Sequence, residues 1–175
     1  YNKPTQAGLI AHYKAIAAET DVPLVLYNVP PRTACDMQAE TVAELSELPQ
    51  IVGIKEACGD AERVAAIRQR VADDFFVLSG EDAQTLQMLD LGAKGTISVT
   101  ANVLPRKMSE FCCAYLEGDR DRAMALDTEL QPIHEILFCE PSPTASKWAL
   151  FEMGKIDKGI RLPLLPLTDA NREEL

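Results

Sequence analysis

Short apolar runs alternate with segments of helical periodicity over the first two thirds of this chain. The apolar runs lie at residues 24–27, 51–55, 75–78 and 95–99, and they predict four strands. The helical segments around them are 2–19, 39–48, 60–71, 82–91 and 104–117. Runs that are apolar throughout indicate strands buried on both faces, as in parallel sheets. The spacing predicts successive right-handed β-α-β units.

Strand signals cease after Gly118, where the pattern becomes helical. A long apolar stripe over 119–138 predicts a helix interrupted by Pro132, and a further helix follows over 142–153. Residues 160–168 are proline-rich and predict an extended segment. We therefore expect an α/β chain in which residues 1–118 form the second half of a TIM (β/α)₈ barrel, with its last four strands, and residues 119–175 form a helical C-terminal subdomain.

An open half barrel would leave exposed sheet edges and an unfilled interior. The chain begins at Tyr1, not at a methionine, and runs directly into a helical segment. We therefore expect that a preceding half barrel belongs to the native protein. Without that half, we do not expect this chain to be active.

Charge and cysteine content narrow the functional classes. The formal net charge of −10 argues against binding to nucleic acid or to an anionic membrane surface. No apolar run is long enough to span a bilayer, and no signal-peptide pattern begins the chain. Five cysteines without a CxxC pair indicate reduced thiols in the cytoplasm, and two histidines disfavour a histidine-based metal site.

Lys55 and Tyr27 end two neighbouring predicted strands. Side chains at the carboxyl ends of parallel strands commonly carry the chemistry of α/β proteins. A partly desolvated lysine can form a Schiff base with a ketone, and a nearby phenol can relay protons. The simpler alternatives are that Lys55 ends its strand and pairs with Glu56, and that Tyr27 belongs to the core with a satisfied hydroxyl.

Three further residues are candidates for substrate binding. Arg32 lies on the proline-rich loop after Tyr27 and could bind a carboxylate through both guanidinium nitrogens, although a solvated loop arginine is the commoner case. Gly80, at the end of the third predicted strand, permits close approach of a ligand or simply serves a turn. Ile97, in the fourth, is most simply a packing residue.

Together these segments resemble the dihydrodipicolinate synthases among the pyruvate-dependent class I aldolases. The resemblance rests on YNVPPRTACD, GIKEACGD, LSGEDAQTL, GAKGTISVTANV and EPSPTASKWAL and covers the whole chain. It implies that Lys55 forms the Schiff base with pyruvate, that Tyr27 relays protons, and that Arg32 binds the carboxylate of aspartate semialdehyde. Gly80 and Ile97 would line the pyruvate site, with no metal or organic cofactor.

The resemblance also implies an assembly. Tyr1 is similar to a second relay tyrosine that reaches across a tight dimer, and the family commonly forms a dimer of dimers. Two positions depart from the family pattern: Ala34 replaces a glycine and Cys58 replaces a threonine. The alternatives left open are another pyruvate-type aldolase, such as an N-acetylneuraminate lyase or a sugar-acid aldolase or dehydratase, and a non-catalytic half barrel that serves only as an assembly module.

Overall fold

The computed structural model describes residues 2–175, which form two compact units. The first unit ends at Ile97, and the second is Ser98–Leu175. This division by packing falls earlier in the chain than the predicted domain boundary at residue 118, which stays a prediction. Within the described range, no helix is both long enough and apolar enough to cross a membrane.

A parallel sheet forms the centre of the first unit. Its strands are β1 (Leu24–Asn28), β2 (Ile51–Glu56) and β3 (Phe76–Ser79), in the order β1-β2-β3. The helices are α1 (Gln6–Ala18), α2 (Pro30–Thr33), α3 (Ala39–Ser46), α4 (Glu62–Arg68) and α5 (Thr85–Asp90), with a 3₁₀ turn at Asp82–Gln84 before α5. The register pairs Tyr27 with Lys55, and Lys55 with Leu78.

The two faces of this sheet differ in burial. Leu26, Ile54 and Val77 point to one face and are almost completely buried, and α3 and α5 contact the strands β2 and β3. Successive strand residues point to opposite faces, so Val25 and Tyr27 lie on the other face. These two side chains are 44% and 48% exposed. One face therefore packs into a core, and the other is open at β1.

The predicted fold class, four barrel strands followed by a helical subdomain, is wrong as stated. Residues 2–175 contain three parallel strands and nine α-helices, which do not make a clear half barrel with an appended subdomain. The predicted strand 95–99 is reduced to one parallel bridge between Ser79 and Thr96. The backbone of Val99 is already helical, and a 3₁₀ turn begins at Thr100, so the extended segment ends after a few residues.

The second unit is helical. It contains α6 (Pro105–Leu116), α7 (Arg120–Ile136), α8 (Thr144–Glu152) and α9 (Asp169–Glu174). Its buried core includes Leu137, Ala145 and Leu167, against which Trp148 packs. The predicted interruption at Pro132 does not occur, since α7 runs through this residue as one helix. The terminal helix α9 was not predicted from the sequence.

Candidate functional site

The carboxyl ends of β1 and β2 bring Tyr27 and Lys55 together. The two residues are register partners in the parallel ladder, so both side chains project from the same face. Lys55 Nζ lies 4.3 Å from the centroid of the Tyr27 ring, within the range of a cation–π contact. The amine and the phenol thus lie side by side at the carboxyl edge of the sheet, as their strand-end placement predicted.

Gly80 makes room for the lysine side chain. A Cβ atom at this position would lie 2.7 Å from Ala57 Cβ and 2.9 Å from Lys55 Cε. The N–H of Gly80 donates a 2.7 Å hydrogen bond to the carbonyl of Glu56, which holds the turn after β3 against the end of β2. A side chain at position 80 would therefore displace either the lysine stem or the turn.

Ile97 lies beside the end of β3. Its N–H donates a 2.9 Å hydrogen bond to the carbonyl of Ser79, and its side chain is 46% exposed. An apolar side chain this exposed does not contribute to a packed core within the described residues. Ile97 is therefore available to line a site at this edge of the sheet.

Arg32 is carried by α2, a single helical turn within the segment that was predicted as a loop. Prolines at the start of this turn suit its first positions, because their missing N–H groups need no partner there. Arg32 is exposed and lines, with Tyr27, a cleft of about 570 Å³ beside β1. Tyr1, the predicted second relay tyrosine, lies outside the described residues.

Ala34 ends α2 in the left-handed conformation, with φ 51° and ψ 30°. This is the position where the family pattern has glycine. A left-handed backbone costs a residue with a Cβ atom roughly 1–2 kcal/mol. Its N–H nevertheless closes the turn with a 2.8 Å hydrogen bond to the carbonyl of Pro30.

Replacing Ala34 by glycine is expected to stabilise the protein by about 0.5–1 kcal/mol, because relief of the left-handed strain exceeds the extra entropy of glycine in the unfolded chain. The measurement is the free energy of unfolding from urea denaturation. Ala43→Gly is the matched control, since Ala43 lies inside α3 and glycine there is expected to destabilise by about 1 kcal/mol. Equal destabilisation by both changes would contradict the prediction.

A buried polar layer lies on the opposite face of the same strand ends, and sequence reasoning missed it. Asn28 and Glu56 directly follow Tyr27 and Lys55, so the alternation of strand residues turns them to the covered face. Both side chains are almost completely buried. Asn28 Nδ2 donates hydrogen bonds to the Glu56 carboxylate, 2.9 Å to Oε1 and 3.1 Å to Oε2. The sequence signal for this layer was that a polar residue directly follows both Tyr27 and Lys55.

Asn28 also connects this layer to the loop that follows α2. Its Nδ2 donates to Asp36 Oδ1 at 2.9 Å, and its Oδ1 accepts from the N–H of Met37 at 2.9 Å. Arg63 donates to both Asp36 oxygens, at 3.1 and 2.9 Å. Burial alone would raise the pKa of Asp36, but the hydrogen bonds from Arg63 and Asn28 outweigh it and lower that pKa below its usual value.

Three other groups near the lysine have raised pKa values. Burial raises the pKa of Glu56, against the hydrogen bonds from Cys58 and Asn28. Burial, with the neighbouring Glu56 charge, raises the pKa of Cys58 to about 11, so its thiol stays protonated near neutral pH. Burial and Asp82 raise the pKa of Glu81, while the positive charge of Lys55 acts in the opposite direction.

Metal coordination has no evident basis in the part of the chain that the structure describes. Residues 2–175 contain no group of three or more histidine, cysteine, aspartate or glutamate side chains that could hold a metal ion. The chemistry that the arrangement offers is that of a primary amine, a phenol and a guanidinium group. An amine beside a phenol suits Schiff-base formation with proton transfer, and an exposed arginine in the adjoining cleft suits a carboxylate.

The chain matches the dihydrodipicolinate synthetase family over residues 1–175. A 4-hydroxy-tetrahydrodipicolinate synthase from Alcanivorax borkumensis is 55% identical over 175 residues, which are 100% of this chain and 60% of the relative. The chain thus spans about 60% of the length of the curated relatives it matches.

Two solved structures are similar in fold over almost the whole chain. A chloride-inhibited dihydrodipicolinate synthase from Acinetobacter baumannii, in complex with pyruvate, is 49% identical with a TM-score of 0.96, over 99% of this chain and 60% of that one. A dihydrodipicolinate synthase variant described as the first monomeric one is 40% identical with a TM-score of 0.96, over 99% of this chain and 59% of that one.

Proposed function

The chain belongs to the dihydrodipicolinate synthetase family, and on that premise we propose that, as part of a longer protein, it condenses pyruvate with aspartate semialdehyde. The product is 4-hydroxy-tetrahydrodipicolinate, a precursor of diaminopimelate and lysine. The observation that carries the proposal is the contact between Lys55 Nζ and the Tyr27 ring at the carboxyl edge of the sheet.

In this proposal Lys55 is the nucleophile. Its neutral amine adds to the ketone carbon of pyruvate, and loss of water gives a Schiff base on the lysine. Loss of a methyl proton gives an enamine, whose carbon forms a bond to the aldehyde carbon of aspartate semialdehyde. The amine of that substrate then displaces Lys55 by transimination, which closes the ring and frees the lysine. The protonated imine serves as the electron sink, so no other cofactor is invoked.

The other residues have supporting roles. Tyr27, whose ring lies against the lysine amine, carries protons to and from the carbinolamine. Arg32 binds the carboxylate of aspartate semialdehyde from the adjoining cleft. Gly80 and Ile97 line the pyruvate site beside Lys55, and Tyr1 of a partner subunit completes the proton relay.

An upstream segment is part of the proposal. Val25 and Tyr27 are exposed on the open face, and β1 is the edge strand of the sheet formed by the described residues. Exposed parallel edges of this kind are normally covered. A preceding segment of the longer protein that pairs with β1 and packs on the open face would cover both the edge and these side chains, and we propose that activity depends on it. We also propose a tight dimer that pairs into a tetramer, although a monomeric relative exists.

The test is a substrate comparison with the longer protein and with this chain alone. We expect the longer protein to convert pyruvate and aspartate semialdehyde to product. We do not expect it to accept N-acetylmannosamine as the aldehyde substrate. This chain alone is expected to be inactive. Turnover of N-acetylmannosamine in preference to aspartate semialdehyde would favour the N-acetylneuraminate lyase alternative. Absence of pyruvate trapping by borohydride in both proteins would favour the non-catalytic alternative.

Replacing Arg32 by alanine is expected to raise the KM for aspartate semialdehyde by about 10²-fold, because a charge-assisted pair with a carboxylate is lost. The rate of pyruvate trapping on Lys55 is expected to stay within about twofold, since the first half-reaction does not need this arginine. Arg32→Lys keeps the positive charge but loses the two-nitrogen contact with the carboxylate. We expect its KM to lie between those of the unsubstituted protein and Arg32→Ala. A slower trapping step in Arg32→Ala would contradict this division of roles.

A further inference from the structure

Tyr27 and Lys55 lie at strand ends, where backbone pairing alone holds a side chain least firmly. β1 is an edge strand with its last residue at Asn28, and β2 ends at Glu56. A productive arrangement of amine and phenol nevertheless requires a fixed distance between them. A displacement of 1 Å can reduce a rate by about 10²-fold. Something must therefore hold the last residues of the two strands in register.

The buried pair of Asn28 and Glu56 lies at the ends of β1 and β2, where it can hold the two strands in register. The two residues face each other across the ladder, one position beyond Tyr27 and Lys55. Their side chains join the strands through two hydrogen bonds of 2.9 and 3.1 Å, in addition to the backbone bond that Ala57 N–H donates to the Asn28 carbonyl. Buried side-chain hydrogen bonds between two strands fix the geometry of the residues that they join.

Burying a carboxylate costs free energy unless its oxygens are satisfied. Replacing a buried charged group and its partner by apolar residues of similar volume is often neutral or stabilising. The completely buried Glu56 is therefore poorly explained by stability alone. Both polar groups of the Asn28 side chain are hydrogen-bonded. Its amide donates to Glu56 and Asp36, and its carbonyl oxygen accepts from the N–H of Met37.

We propose that Asn28 and Glu56 are positioning residues, which hold the carboxyl ends of β1 and β2 together so that Tyr27 and Lys55 stay in contact. Glu56 is fully buried on the covered face, and Asn28 borders the cleft that holds Tyr27 and Arg32 but has its side-chain amide and carbonyl bonded to Glu56, Asp36 and Met37, so neither residue is placed to bind substrate. The proposal rests on the function proposed above for Lys55. It adds two residues whose effect on the reaction passes entirely through Tyr27 and Lys55.

The test compares three variants of the longer protein. Glu56→Leu removes the acceptor for the Asn28 amide, whereas Glu56→Gln keeps one carbonyl acceptor in the same shape. Val42→Ala is the matched control, since Val42 is fully buried on α3, which packs against β2, and its truncation lowers stability while leaving both members of the hydrogen-bonded pair unchanged. The readouts are the rate of pyruvate trapping, kcat and KM for aspartate semialdehyde, and the Nζ-to-ring distance in crystal structures.

We expect Glu56→Leu to lower the trapping rate and kcat by about 10²-fold while the KM for aspartate semialdehyde stays within about twofold. The distance from Lys55 Nζ to the Tyr27 ring should exceed about 6 Å, the limit of a cation–π contact. Glu56→Gln and Val42→Ala are expected to keep both the trapping rate and the contact. If Glu56→Leu does not fold, Asn28→Ser removes the same hydrogen bonds from the other strand and takes its place.

Three results would overturn the proposal: equal losses in Glu56→Leu and Val42→Ala, an unchanged contact in Glu56→Leu, or a Glu56→Gln protein as defective as Glu56→Leu. The crystallographic distance does not depend on the reaction. If the unsubstituted protein does not trap pyruvate, the proposed function fails, and the distances in the three variants still decide whether Asn28 and Glu56 hold the site.

Discussion

Replacing Lys55 by methionine is expected to abolish borohydride trapping of pyruvate and to lower turnover by at least about 10⁴-fold, because the residue that carries the covalent intermediate is lost. Methionine keeps most of the length and apolar surface of the lysine stem, which passes close to Gly80. The fold should therefore persist. The measurements are intact mass and peptide mapping after reduction with pyruvate, together with the steady-state rate.

Lys94→Met is the matched control for this change. Lys94 is an exposed lysine of the same unit, in the segment that pairs with β3. We expect it to trap pyruvate and turn over as the unsubstituted protein does. A pyruvyl adduct that persists in Lys55→Met, or one that maps to another lysine of the unsubstituted protein, would exclude Lys55 as the nucleophile.

Replacing Tyr27 by phenylalanine is expected to lower kcat by about 10²–10³-fold, since general acid–base groups contribute about 10²–10⁴-fold. The aromatic ring remains, so its contact with Lys55 Nζ at 4.3 Å is retained and only the hydroxyl is lost. The amine should consequently stay in place while proton transfer to the carbinolamine slows. Single-turnover measurements of trapping and of product formation would show both steps slowed.

Tyr115→Phe on α6 is the control for the loss of a tyrosine hydroxyl in the other unit, and it is expected to keep kcat within about twofold. A Tyr27→Phe protein with kcat within about threefold of the unsubstituted one would mean that the phenol takes no part in proton transfer. Tyr27 would then act only through the ring that lies against the lysine.

The main strands and the placement of Tyr27 and Lys55 at neighbouring strand ends could be predicted from the sequence because their signals are local. Apolar runs predicted the strands at 24–27, 51–55 and 75–78, and their ends identified Tyr27 and Lys55. The parallel arrangement followed from the alternation of strand and helix. A residue's place at a strand end depends only on where its own apolar run stops, and this can be read along the chain.

The predicted fourth strand failed because the length of a strand depends on its pairing and on the conformation of the residues after it. Residues 95–99 are apolar enough for a strand, but a 3₁₀ turn begins at Thr100 and leaves one bridge at Thr96. The helical turn that carries Arg32 was also missed, because its local signal was ambiguous. Two prolines suggested an irregular loop, although prolines also suit the first turn of a helix.

By itself the sequence determined which residues end the strands, which of them carry an amine, a phenol or a guanidinium group, and which family's motifs they resemble. Only the tertiary structure decided that Asn28 and Glu56 meet on the covered face, that Asp36 and Arg63 extend their network, and that Gly80 leaves space for the lysine stem. The hydrogen bonds of this network join residues 8 to 28 positions apart in the chain. They form because parallel strands bring their ends to one edge, a relation that no local pattern records.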